Sequence, residues 1–165
     1  MRSHKENIRP LSRSNELAPL SREHHDGLLL CWKINTGITN KIPLTRIRDY
    51  VLYFFKEDLE LHFAKEEKYL FPLLESNNEL RMKAEKQHDE MRKIIDDLSN
   101  SAKPEVTQLM RFSEALRIHI RFEERELFNI IQDTADTGKL RRAGKKLEGV
   151  HRDCDLSWPD HFWTK

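Results

Sequence analysis

One ten-residue pattern occurs twice and limits what the rest of the chain can be. His62-Phe63-Ala64-Lys65-Glu66-Glu67-Lys68-Tyr69-Leu70-Phe71 and His119-Ile120-Arg121-Phe122-Glu123-Glu124-Arg125-Glu126-Leu127-Phe128 both read H-x-x-x-E-E-x-x-L-F. On an α-helix, positions i and i+4 are about 40° apart in azimuth and about 6 Å apart along the axis. The imidazole and the first carboxylate of each copy therefore point into one groove. A neutral nitrogen and an anionic oxygen on one rigid element are what a metal ion asks for. Two helices that carry the pattern and face each other would put such a site at the centre of a helical bundle.

The surrounding sequence supplies such helices. Pro10, Pro19, Pro43, Pro72, Pro104 and Pro159 leave four uninterrupted stretches long enough for several turns each. The first helix is expected from Ser21, a good N-cap, to a stop at Gly37, with Leu20, His24, Leu28, Cys31 and Asn35 on its inner stripe. The second runs from about Leu44 to Phe71 or just past Pro72, with Ile47, Val51, Phe54, Asp58 or Leu59, His62, Glu66, Tyr69 or Leu70, and Leu73 inward. The third covers Asn78 to Leu98, with Leu80, Ala84, Gln87, His88, Met91, Ile95 and Leu98 on one face. The fourth covers Pro104 to Thr134, with Val106, Leu109, Phe112, Leu116, His119, Glu123, Leu127 and Ile130 inward. This i, i+3, i+4, i+7 recurrence is that of amphipathic helices. With short connections the fold class is all-α, an antiparallel up-down-up-down four-helix bundle. Residues 1–19 read as an irregular N-terminal arm, 20–135 as the bundle, and 136–165 as a basic helix (Lys139 to Val150) and an aromatic tail packed on it.

Each expected helix carries one histidine on or beside its apolar stripe: His24, His62, His88 and His119. The second and fourth add Glu66 and Glu123. A lone inward histidine is usually a core residue bonded to a carbonyl. A lone inward glutamate is rarer, because an unpaired buried carboxylate costs several kcal/mol. Six such groups at one height of a bundle are better explained by metal than by packing. Imidazole and carboxylate with no inward cysteine nearby suit Fe, Mn or Zn. Four nitrogens with two bridging carboxylates suit two ions, and two Fe ions are the expected cofactor. Adjacent His24 and His25 sit about 100° apart, so only one can face the centre; His24 lies on the stripe. The ferritin-like bundle needs Glu-x-x-His pairs on two helices, and only Glu85 to His88 supplies one.

These residues resemble the hemerythrin-like (HHE cation-binding) family. The resemblance runs from about Leu20 to Ile131. It is carried by Leu20-Ser21-Arg22-Glu23-His24, by His62-x-x-x-Glu66 with Leu70-Phe71-Pro72, by Gln87-His88-Asp89, and by His119-x-x-x-Glu123 with Leu127-Phe128. It implies a non-haem di-iron centre bridged by Glu66 and Glu123 inside an antiparallel bundle. The oxygen carriers of the family have a second histidine four residues after the third-helix histidine, where this chain has Arg92. They have an aspartate five residues after the fourth-helix histidine, where it has Glu124. With one imidazole fewer, reversible O2 carriage is not the expectation. The resemblance implies binding or sensing of O2, nitric oxide or iron and redox state, with a peroxide-consuming di-iron enzyme or iron storage as the alternatives.

Composition narrows the rest. Lys plus Arg is 29 against 28 for Asp plus Glu, a net charge of +1, so nucleic acid is not expected. The longest apolar runs are too short for a bilayer, so no membrane is expected. The two cysteines, Cys31 and Cys154, are far apart, which suits a cytoplasmic location. Expected partners are small ligands, with homo-oligomerisation left open.

Overall fold

The computed structural model describes residues 12–149 and 153–164. Most of the expected arm and the last residue of the expected basic helix, Val150, lie outside these ranges. Four rods make the body. The first is α1, Ala18–Thr39. The second strings together α2 (Leu44–Phe54), a π turn (Phe55–Leu59), α3 (Glu60–Lys65), a second π turn (Glu66–Leu70) and a 3-10 turn (Phe71–Leu73). The third is α4, Glu79–Asn100. The fourth is α5 (Val106–Phe122), a π turn (Glu123–Leu127) and α6 (Phe128–Thr134). A basic helix, α7 (Thr137–Leu147), and a single turn, α8 (Cys154–Ser157), follow. No strand occurs among the described residues. None of the described helices is long and apolar enough to cross a membrane.

The rods stand in a square. α1 packs on α2 and α5, and α4 packs on α2 and α5. Two apolar clusters show that neighbouring rods are antiparallel. One takes residues after His24 (Leu30, Ile34), before His62 (Ile47, Val51, Phe54), after His88 (Met91, Leu98) and before His119 (Leu109, Phe112). The other takes Leu17 and Leu20 before His24, Leu70 and Phe71 after Glu66, Ala84 before His88, and Leu127 and Phe128 after Glu123. Each fully buried Leu, Ile or Phe contributes about 1.5–3 kcal/mol. A polar layer of histidines and glutamates divides the two clusters.

Helix ends follow capping chemistry. The Asn78 side chain accepts from the Leu80 and Arg81 amides and starts α4. Glu105 and Gln108 form a reciprocal capping box at the start of α5. The first rod corrects the sequence reading at both ends. It begins at Ala18, with Pro19 in its first turn, so Ser21 is an interior residue and not the cap. It runs through Gly37 to Thr39 and ends in a Schellman motif. Ile42 N–H bonds Gly37 C=O at 2.9 Å, Lys41 N–H bonds Ile38 C=O at 3.0 Å, and Lys41 sits at φ 55°. Gly37 is there for space: a Cβ would lie 2.8 Å from Ile47 Cδ1 and 2.9 Å from Phe162 Cε2.

Four side chains expected inward point out. Leu28 (38% exposed), Val106 (42%) and Ile130 (37%) face solvent, and so does Asn35. Gly27, Leu30 and Ile34 take the inner face of α1, because the missing Cβ at Gly27 lets Ile120 of α5 approach to within 2.8 Å of where that atom would be.

The C-terminal residues close one end of the square. Trp158, Phe162 and Trp163 gather around the ring of Tyr50, with centroids 5.7, 5.9 and 4.7 Å away. Buried Lys33 donates to Asp155 at 2.6 Å and to the Tyr50 hydroxyl at 3.0 Å, and its ammonium lies 4.2 Å from the Trp163 ring centroid. Along α7, Leu140, Ala143, Gly144 and Leu147 are buried, while Lys139, Arg141, Arg142, Lys145 and Lys146 face solvent.

Candidate metal centre

His24, His62, Glu66, His88, His119 and Glu123 meet in the polar layer, none of them more than 4% exposed. They form two groups that share both glutamates. In one group, His24 Nε2 is 3.0 Å from Glu123 Oε2 and His62 Nε2 is 3.0 Å from Glu66 Oε1. In the other, His88 Nε2 is 3.2 Å from Glu66 Oε2 and His119 Nε2 is 3.2 Å from Glu123 Oε1. Each glutamate thus turns one oxygen to each histidine pair. The helical i, i+4 spacing sets two of these approaches, and the antiparallel neighbours supply the other two. His25, adjacent to His24, faces solvent.

Every imidazole is oriented from behind. Nδ1–H of His24 donates to Glu124 at 2.7 Å, that of His62 to Glu23 at 2.6 Å, that of His88 to Glu67 at 2.8 Å, and that of His119 to Gln87 Oε1 at 2.8 Å. An ionised carboxylate can only accept, so the proton sits on Nδ1 and the Nε2 lone pair turns inward. That is the tautomer and second hydrogen bond of a metal-ligating histidine.

The inward atoms are unsatisfied without a cation. Neither oxygen of Glu66 and neither oxygen of Glu123 has a hydrogen-bond partner. Nε2 of His24 and of His62 lie 3.2 Å apart, and those of His88 and His119 3.1 Å apart. Two nitrogens bound about 2.1 Å from one ion at about 100° are separated by about 3.2 Å. Two facing lone pairs repel, and one cation between them satisfies both. The ionisation of the cluster shows the same strain. Burial, then the charge of Glu66, push Glu123 up to about 7. In the metal-free protein His62 and His88 are favoured in the doubly protonated form, a proton standing where a cation would. Burial alone would raise Glu66 too, but the His62 charge outweighs it and holds the group well below the carboxylate range. Burial and the neighbouring His88 drive His119 well below the ordinary imidazole value. The donor set fits divalent cations of the Fe, Mn or Zn type.

From the sequence, Glu67 and Glu124 are expected to be solvated or hydrogen-bonded to a ligand, and Glu23 and Gln87 are given no site role. Glu67 and Glu124 fall off the apolar stripes, yet each holds a histidine on a neighbouring rod. The doubled glutamate of the repeat was the signal for them. Glu23 and Gln87 each precede a site histidine by one residue, a regularity that only the packed rods explain. Arg92 does not enter the centre. It binds Glu67 at 2.8 Å and Glu60 at 2.9 Å, so it replaces an imidazole with a brace for the His88 partner. Tyr69, beyond Glu66, packs beside the second apolar cluster.

Two π turns open at the inward glutamates, over Glu66–Leu70 and Glu123–Leu127. The extra residue resets the helical phase. Leu70 with Phe71, and Leu127 with Phe128, therefore stay buried after a glutamate that already faces inward. π turns are uncommon and cluster at functional sites.

Among curated proteins and solved structures, nothing matches the chain. The family model described as the hemerythrin HHE cation binding domain matches residues 9–131, a span that contains all six inward residues and the four groups bonded to their imidazoles. The chain belongs to the hemerythrin HHE cation-binding family.

Proposed function

We propose that the chain holds two iron ions, one against His24 and His62 and the other against His88 and His119, with Glu66 and Glu123 bridging them. The observation that carries this reading is the division of the four bare carboxylate oxygens, one from each glutamate to each histidine pair. Zn or Mn could fill the same donor set. Bound iron would supply redox chemistry toward O2, nitric oxide or peroxide. The chain's own residues hold the ions, keep the four imidazoles in the Nε2-ligating tautomer and shield the centre from bulk water.

The function supported best is binding or sensing a small ligand. The six inward side chains are buried, so a ligand that reaches them without rearranging the rods has to be small. The acids nearest the centre, Glu23, Glu67 and Glu124, are all committed to imidazoles. None is left to serve as a general acid or base, which favours binding over turnover. A centre of two ion-sized groups is also small for an iron store.

Metal analysis of protein purified without added metal tests this reading. Two irons per chain are expected, lost in Glu66→Ala and in Glu123→Ala, with a spectral change on adding nitric oxide and slow decay of added peroxide. A single zinc, or no metal, would overturn it. Rapid peroxide consumption that depends on both glutamates would replace binding with catalysis.

A further inference from the structure

The centre is built twice on one plan, and the group behind one imidazole differs in charge between the two copies. In both, the residue after the inward glutamate takes an imidazole of a neighbouring rod: Glu124 takes His24 and Glu67 takes His88. An arginine braces each of these carboxylates, Arg13 and Arg92, both at 2.8 Å. The same arginine lies over a phenylalanine stacked on the same imidazole. Arg13 is over Phe128, which stacks on His24, and Arg92 is over Phe63, which stacks on His88. The other two imidazoles are taken by the residue before the histidine of rods one and three. There the likeness breaks. Glu23, ion-paired to Lys65, takes His62, whereas neutral Gln87 takes His119. Lys65 stands three residues after His62, and the matching position after His119 is Phe122.

We infer that the two histidine pairs are unequal cation sites, the His24–His62 pair the tighter, and that Gln87 is the positioning residue that sets the difference. The inference rests on the two-ion reading above. An imidazole gains positive charge when Nε2 gives its lone pair to a cation. A carboxylate on Nδ1–H stabilises that charge directly, and an amide oxygen does so less. Altering such an outer partner changes metal affinity by about 10–100-fold, the size of the expected gap. Both imidazoles of the first pair have a carboxylate behind them. In the second pair only His88 does.

Anaerobic titration of the metal-free protein with Co(II), followed by its visible absorption, reads both binding constants. The wild type should take up two cobalt ions in two steps. Gln87→Glu should raise the weaker constant tenfold or more and leave the stronger unmoved; Lys83, four residues earlier and 4.1 Å from the Phe122 ring centroid, can balance the new charge. Glu23→Gln should lower the stronger constant by a similar factor, giving both pairs one carboxylate and one amide. The ratio of the constants thus shrinks in both variants for opposite reasons. A ratio unmoved in both, or both constants lowered together as a purely structural role would have it, overturns the asymmetry and leaves the two-ion reading intact. Fewer than two cobalt ions in the wild type overturns both. If one variant fails to fold, by its melting curve, the other decides.

Discussion

Glu67 Oε1 accepts the Nδ1 proton of His88 at 2.8 Å, while Arg92 donates to the same oxygen at 2.8 Å and to Oε2 at 3.2 Å. The brace holds the ring of His88 between Phe63, 3.9 Å away in a near-parallel stack, and the shared glutamates. Glu67→Ala leaves a buried Nδ1–H unpaired and the imidazole free to turn. Metal affinity should fall by about 10–100-fold, and the metal-free protein should lose about 1–3 kcal/mol. Glu67→Gln keeps an acceptor and should recover part of the affinity. Competition against a coloured chelator measures both.

Chelation should lower the melting temperature. A cation that binds only the folded chain stabilises it by about 2.7 kcal/mol at one hundred times its dissociation constant. In Glu123→Ala the shift on adding a chelator should disappear. The metal-free form of that variant should melt no lower than the metal-free wild type, because burying a second carboxylate beside Glu66 is itself unfavourable. Thermal melts with and without EDTA read both statements. An unchanged shift in Glu123→Ala would show that the stabilising ion sits elsewhere.

The parts of the fold legible in the sequence are those governed by helical period alone. His62, Glu66, His119 and Glu123 face inward at the expected spacing, and His24 and His88 join them from neighbouring rods. The period left two choices open on the second rod, Asp58 or Leu59 and Tyr69 or Leu70. In both the structure buries the later residue. A π turn, which a fixed 100° period cannot represent, covers each position. Leu28, Val106 and Ile130 were assigned by hydrophobicity to a face that their neighbours occupy. Of the orienting residues, Gln87 lies on the inner stripe of the third helix and Glu23 carries no periodic signal, and the role of neither is legible because each acts across to a different rod.

Lys41 offers a stability gain. It holds φ 55° at the end of α1, a conformation that L side chains adopt at a cost and glycine adopts freely. Lys41→Gly should stabilise the protein by about 0.5–1 kcal/mol, the relief of left-handed strain exceeding the added chain entropy. Urea unfolding of the two proteins, with equal slopes, would show it as a higher midpoint. A lower midpoint would mean that the lysine side chain contributes more than its backbone strain removes.

The Lys33–Asp155 pair should make the C-terminal closure sensitive to acid. Burial alone would raise the Asp155 carboxyl, but hydrogen bonds from Lys33 and Tyr50 outweigh it and hold the group below its ordinary value. Folding therefore favours the ionised form. The stability this contributes is complete above the unfolded value of about 3.9 and is lost as pH falls from there through the lower folded value. Asp155→Asn keeps the shape and removes the charge beside a lysine that is 3% exposed. It should cost about 1–3 kcal/mol at pH 7, toward the lower end because Asp155 is itself a third exposed and screened. Below about pH 4 the difference between variant and wild type should narrow, as the wild type takes up the proton that the variant never loses. Melting temperatures of both proteins across pH 3 to 8 would show converging acid limbs, with the fluorescence of Trp158 and Trp163 reporting whether the tail leaves Tyr50 in the same range. Parallel limbs would place the acid sensitivity outside this pair.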